Sequence, residues 1–195
     1  MSDGRRARGV ATRDRLLLAA RELFGEQGYD ATSIEEVLAR SEVARGALYH
    51  HYRSKAELFE TVVEEVLLEI AERTGAAAHG IDDPLERLRA GSRAWLLLAQ
   101  SPAIQRIALL DPPAALGWTL WRRLDESASL GGLRADLRQL AREGRVADEQ
   151  VEPIAHMLLA ALNEAALFIA HSDERRHALD AAEAAVDTLL VRLAE

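Results

Sequence analysis

The chemistry-bearing side chains nearest the N-terminus fall into one short run. Arg45, Gly46, Ala47, Tyr49, His50, His51 and Tyr52 lie within eight consecutive positions, and Lys55 follows. An arginine at the start of a short helix can pair bidentately with guanine, and an alanine methyl can meet a thymine methyl. A glycine lets such a helix sit deep. Tyr49, His51 and Tyr52 carry donors suited to phosphate oxygens. Thr32 and Ser33 offer hydroxyls and free amides at one helix start, and Lys55 with the amides after Ser54 offers a second. This is the chemistry of holding a polyanion and reading base edges. Catalytic alternatives are poorly supplied. No nucleophile elbow, phosphate loop or zinc-protease motif occurs. His156, His171 and His177 lack paired ligand spacing, so no metal or other cofactor is expected. The expectation is a chain that is not an enzyme.

These residues need elements to position them. Leu16, Leu17, Ala20, Leu23 and Phe24 recur at three- and four-residue spacing, which predicts an amphipathic helix over 12–27, stopped by Gly28. Ser33-Ile34-Glu35-Glu36 is a capping box that opens a short second helix, and Ile34, Val37 and Leu38 form its apolar face. A tight turn near Glu42 leads to a short third helix over about 44–52. Ser54-Lys55-Ala56-Glu57 is a second capping box and opens a long helix to about residue 74. Two short helices joined by a tight turn and packed on a preceding helix form a helix-turn-helix, whose second helix lies in the major groove. The same residues could also make a purely structural hairpin with aromatic core positions.

Beyond a small, polar linker over 75–83, helices are expected near 84–100, 103–110, 114–128, 133–143, 151–171 and 174–194. Asp111-Pro112-Pro113 and Gly131-Gly132 supply the breaks. No segment alternates as a strand would, so the fold class is all-α. The division expected is 1–55 for an N-terminal arm and helix-turn-helix, and 56–195 for a C-terminal bundle.

Composition bears on partners. Net charge is -8, yet residues 1–55 hold 10 Lys+Arg against 8 Asp+Glu, and the remainder holds 14 against 24. Arg5, Arg6, Arg8 and Arg13 crowd the first 13 residues. The N-terminal part can approach nucleic acid while the acidic remainder faces elsewhere. There are no cysteines, which excludes a disulfide scaffold. The start lacks the apolar stretch of a signal peptide, and no uninterrupted apolar run approaches the ~20 residues of a membrane span. A cytoplasmic location without membrane contact is expected.

The stretches from Gly28 to Leu38 and from Gly46 to Leu58, with Arg15-Leu16-Leu17 and Phe24-Gly25-Glu26-Gln27-Gly28 before them, resemble the TetR (tetracycline-repressor-like) family over about residues 12–60. The resemblance implies an all-helical homodimer, palindromic double-stranded operator DNA, and a C-terminal domain that binds a small effector. By position, Arg45, Gly46 and Ala47 match the family's base-facing residues, and Thr32, Ser33, Tyr49, His51 and Lys55 its phosphate contacts. His50 belongs to the same short helix. Glu42 stands where the turn usually carries a glycine, and Ala44 where a capping serine or threonine is frequent. A left-handed glutamate would cost of order 1 kcal/mol, and a missing cap roughly 0.5–2 kcal/mol.

The C-terminal part matches less specifically. All three tryptophans, Trp95, Trp118 and Trp121, flank the Asp111-Pro112-Pro113 break. They are nominated for the effector pocket, with Ile107, Leu110, Met157, Phe168 and the polar Asn163. Apolar surroundings suggest an apolar or aromatic effector. The helix near 151–171 is apolar on most sides, so one face can pack on its own domain and another on a partner. Leu158, Leu162, Ala165, Ala182, Val186 and Leu189 are nominated for the dimer seam. A ligand-released repressor is the favoured reading. A small-molecule carrier with a structural hairpin is the alternative, and a surface with or without positive charge around Arg45, Tyr49 and Lys55 separates the two.

Overall fold

The structure, a computed structural model, describes residues 3–193, with side chains from residue 9 onward. Arg5, Arg6 and Arg8 therefore have side chains outside the described ones. The backbone there continues the first helix, so α1 spans Asp3–Gln27 and starts well before residue 12. Leu16, Leu17, Ala20, Leu23 and Phe24 are all buried, as their spacing requires. Gly28 ends α1 at φ 86, where its amide donates to the Phe24 carbonyl at 3.0 Å. A side chain is disfavoured in that left-handed conformation.

Helix α2 (Ile34–Ser41) begins on the expected capping box. The Glu36 amide donates to Ser33 Oγ at 3.2 Å, and the Ser33 amide donates to the Glu36 carboxylate at 2.8 Å. Helix α3 (Arg45–His51) follows after Glu42, which lies at φ 54, ψ 35. The turn is thus left-handed without a glycine. Ala44 caps α3 with no side-chain hydrogen bond. Val37, Leu48 and Phe24 close the three-helix core.

Helix α4 (Lys55–Ala77) carries Leu58, Phe59, Val62, Val63, Val66, Leu67 and Ile70 on its buried stripe. Its cap is only half a box. Ser54 Oγ accepts from the Glu57 amide, but the Glu57 carboxylate accepts from the Arg53 amide at 2.7 Å. The first half of α4 packs on α1, with the Phe24 and Phe59 ring centroids 4.8 Å apart, and the second half joins the C-terminal bundle. The helix continues through Gly75, so the linker is shorter than its composition suggests.

The bundle is completed by α5 (Pro84–Leu98), α6 (Pro102–Gln105), α7 (Pro112–Ala115), α8 (Trp118–Arg142), α9 (Val151–His171) and α10 (Arg175–Leu193). A π-helical turn, Arg106–Leu110, joins α6 to α7. Two expected helices, over 114–128 and 133–143, are one. Helix α8 passes straight through Gly131-Gly132, and the break falls at Gly117, φ 85. Each interior glycine costs about 1 kcal/mol against alanine. Buried Trp121, Leu124, Leu130, Leu137 and Leu140 outweigh that, at roughly 1.5–3 kcal/mol for each aliphatic side chain removed from water.

Asp148–His171 is long and apolar enough to cross a membrane by length and composition, with mean hydropathy 1.5. A search for an uninterrupted apolar run misses it. In the fold, Val151, Ala155, Leu158, Leu159, Leu162, Ala166 and Ile169 of this segment pack into the bundle.

Candidate nucleic-acid interface

Helix α3 turns Leu48 into the core and leaves Arg45, Gly46, Tyr49 and His50 exposed on the opposite side. Ala47 and His51 are half-buried between the two. Tyr49 is 47% exposed, which is large for a tyrosine. A Cβ built on Gly46 would meet no atom within 4 Å. Its small size is therefore not demanded from inside, and the space it leaves opens outward.

Arg45 is not free. Its Nη2 donates to Glu35 Oε1 on α2, and the hydrogen bond holds the Glu35 carboxyl below the usual carboxylate range. Both side chains are mostly exposed, so water and salt screen the pair and it adds little to stability.

Three nominated contacts take other roles. Tyr52 is 3% exposed and packs in the core; burial pushes its hydroxyl pKa up. It cannot touch a phosphate from there. The reason is rotational: Leu48 and Tyr52 are four residues apart and share the inward face. Thr32 is also buried, its hydroxyl donating to the Gly28 carbonyl at 2.7 Å. Lys55 Nζ donates to the Tyr29 and Thr32 carbonyls at 2.8 and 2.9 Å and sits 4.1 Å above the Tyr29 ring. It clamps the α1–α2 loop with two of its three donors.

Ser33 is half-buried, and its amide and hydroxyl both end on Glu36 Oε2. Those bonds, the backbone amide first, hold the Glu36 carboxyl low. A phosphate at the start of α2 must displace this carboxylate. Glu35 and Glu36 were legible as capping and first-turn acids; their competition for the anion and arginine sites was not, because no local rule pairs positions 35 and 45.

The loop is held from the bundle as well. Asp111 Oδ2 accepts from the Tyr29 amide at 2.7 Å, and Arg106 Nη1 donates to the carbonyls of Gly25 (3.1 Å) and Glu26. Gly25 lies so close to α6 that an added Cβ would fall 2.8 Å from Ala103 Cβ.

A cavity of about 170 Å³ lies between α4, α5, the π-helical turn, α8 and α9. Of the residues nominated for an effector pocket, Trp95 and Asn163 line it. Ile107 is buried beneath α1, near Gly25. Trp121 is buried with Nε1 donating to the Ala108 carbonyl at 2.8 Å. Leu110 and Trp118 are exposed, as are Met157 (70%) and Phe168 (56%), so none of these six lines the cavity. The nominated seam residues divide between core and surface. Leu158, Leu162, Ala182 and Val186 are buried within their own chain, Leu162 against the cavity; Ala165 is half-buried and Leu189 exposed. Apolarity on all sides of α9 hid which side was which.

Sequence asparagine and aspartate meet here. Asn163 Nδ2 donates to Asp125 Oδ2 at 2.8 Å, and Arg122 Nη1 lies 3.4 Å from the same oxygen. Burial pushes the Asp125 pKa up. Asp125, four residues beyond the nominated Trp121, was not singled out by the sequence.

The sequence profile of bacterial regulatory proteins of the tetR family matches residues 16–62, and that of the tetracyclin repressor-like C-terminal domain matches residues 85–193. The HTH-type transcriptional repressor AcnR of Corynebacterium jeikeium is 31% identical over 147 residues, 73% of each chain. A transcriptional repressor of Mycobacterium tuberculosis, Rv1474c, is 30% identical over 143 residues, 72% of each chain. The crystal structure of a TetR-family regulator from Pectobacterium atrosepticum superposes with a TM-score of 0.81 at 35% identity, over 97% of both chains. With an exposed recognition helix on a three-helix core and a helical bundle behind it, the chain belongs to the TetR family of DNA-binding transcriptional regulators and is not an enzyme.

Proposed function

We propose that the chain is a repressor released from a palindromic operator by a small effector held in the bundle cavity. The observation that carries the DNA half is the outward surface of α3, where Arg45, Gly46 and Tyr49 are exposed on the side opposite Leu48. Arg45 is assigned to a guanine edge, Gly46 and Ala47 to close approach, and Tyr49, His50, His51 and Ser33 to the flanking phosphates. Thr32 and Lys55 shape the loop that presents them. The sign of regulation follows the two relatives named as repressors. We divide the labour at residue 55, with 1–55 for DNA and 56–195 for effector and partner, and α4 serving both. A DNA-binding regulator of this family works in the cytoplasm.

Reading a palindrome requires two recognition helices ~34–36 Å apart, hence two copies. The exposed apolar residues of α9 and α10, Met157, Phe168 and Leu189, are assigned to the contact between them. Selection of bound sequences from random duplex DNA tests the whole reading at once. The expected outcome is an inverted repeat with half-sites about one helical turn apart. A single half-site, or no enrichment at all, would refute it.

A further inference from the structure

The wall of the bundle cavity carries an unusual polar set for an apolar site. Asp125 is 3% exposed, and its two oxygens are unequally satisfied. Oδ2 takes the bonds from Asn163 and Arg122, whereas Oδ1 has only the Ser129 hydroxyl, stretched to 3.5 Å. A carboxylate offers about four acceptor positions, so Oδ1 retains acceptor capacity. Ser92, also on the wall and 4% exposed, has a hydroxyl without a hydrogen-bond partner among the described residues. An unmet buried polar group is costly to the fold, so each is a place where a guest with the right donor or acceptor gains.

The wall's cation is already committed. Arg87 gives four of its five N–H groups to Asp136, Gln139 and the carbonyls of Ile81 and Asp82. An anionic guest would find no free guanidinium and would stand beside Asp125. Size is the second limit. About 170 Å³ is close to the ~150 Å³ of an apolar cavity that accepts benzene.

We propose that the cavity takes a compact molecule of one-ring size bearing an N–H or O–H donor that ends on Asp125 Oδ1, with amines ahead of alcohols, and that it rejects carboxylates. The inference rests on the reading of the bundle as the effector domain. Trp95 supplies an apolar wall, its own Nε1 being used by the Leu162 carbonyl at 3.2 Å. The donor gives Asp125 Oδ1 the bond that Ser129 barely makes, and the ring fills the apolar remainder. Burial already raises the Asp125 pKa, so a cation arriving there recovers the unfavourable ionisation.

Calorimetric titration of the full chain with benzylamine, benzyl alcohol, toluene and benzoate tests the proposal. Benzylamine is expected to bind at least about tenfold more tightly than benzoate. Asp125→Asn should cut the benzylamine affinity about tenfold and leave toluene unchanged. The comparison on the wild-type chain needs no variant, so a misfolded Asp125→Asn protein does not shield the idea. Benzoate binding as well as benzylamine, or no binding by any donor-bearing probe, overturns it. DNA affinity is measured in parallel. Benzylamine binding with DNA affinity unchanged supports the ligand class and counts against ligand-driven release; benzoate binding as tightly as benzylamine, with DNA affinity lowered by either probe, does the reverse.

Discussion

Two tyrosines three residues apart on one short helix have opposite fates, and the difference is rotational. Tyr49 points out and Tyr52 points in with Leu48. Substitution separates the two roles. Arg45→Ala should weaken operator binding by about 1–3 kcal/mol, roughly ten- to hundredfold, at fixed salt. Its melting curve should barely move, because the Glu35 pair it loses is exposed. Tyr52→Ala should instead lose about 3–5 kcal/mol in urea unfolding, the cost of emptying an aromatic core site. Fluorescence anisotropy on operator DNA together with urea titration distinguishes these outcomes; a folded, normally stable Tyr52→Ala protein with a selective DNA defect would contradict its burial. Glu42 gives a second measurement at this scale. A left-handed non-glycine residue costs about 1–2 kcal/mol, and glycine returns about 0.4–1 kcal/mol of that as unfolded-state entropy. Glu42→Gly should therefore raise stability by up to about 1 kcal/mol with an unchanged denaturant slope. An unchanged or lower midpoint would show that the turn is not strained.

Among the elements, those with local signals were legible and those decided by tertiary packing were not. The Ser33 capping box, the Gly28 stop and the uncapped Ala44 follow from rules spanning a few residues, and all occur; the left-handed turn at Glu42 does not follow from them, since a glutamate carries no such signal and only the family's usual glycine pointed to it. The uninterrupted α8 did not follow, because Gly131-Gly132 reads as a break unless the leucines on either side are known to be buried. The π-helical turn has no sequence signature, yet it ties the halves of the molecule together. Its Ala108 and Leu109 reach the cavity, its first residue Arg106 grips the end of α1, and Asp111 just beyond it holds the Tyr29 amide. Asp111→Ala leaves that amide without its partner, at a cost of about 1–3 kcal/mol localised to the α1–α2 loop. Hydrogen exchange should accelerate about ten- to hundredfold at Tyr29 and its loop neighbours, with protection in α5, α8 and α9 unchanged. Operator affinity should fall with it, since Ser33 and α2 hang on this loop. Uniform acceleration across the bundle would instead mean that Asp111 supports the fold as a whole.

At the scale of the whole molecule, one face stands out as unfinished. Helix α9 exposes Met157, Ala160, Glu164 and Phe168 at three- and four-residue spacing, and α10 exposes Ala181, Ala185, Thr188 and Leu189 in the same manner. These exposed positions are mostly apolar or small, with Glu164 and Thr188 among them. Two such surfaces can pack as a four-helix bundle, with alanines allowing close approach. The residues that the sequence alone put at this seam, Leu158 and Leu162 among them, point into their own core, so substitution distinguishes seam from core. Met157→Glu with Phe168→Glu should leave the protomer folded, because neither side chain packs within it; surface changes of this kind usually stay within ~0.5 kcal/mol. Sedimentation velocity should then show a monomer. Affinity for the inverted repeat should drop by at least about a hundredfold, because the second half-site is no longer delivered by the first. Leu158→Ala makes the opposite pattern: about 2–5 kcal/mol of stability lost with the dimer retained wherever the chain is folded. If the double glutamate variant stays dimeric, the contact lies on another face, and the two recognition helices must be spaced by a different pair of elements.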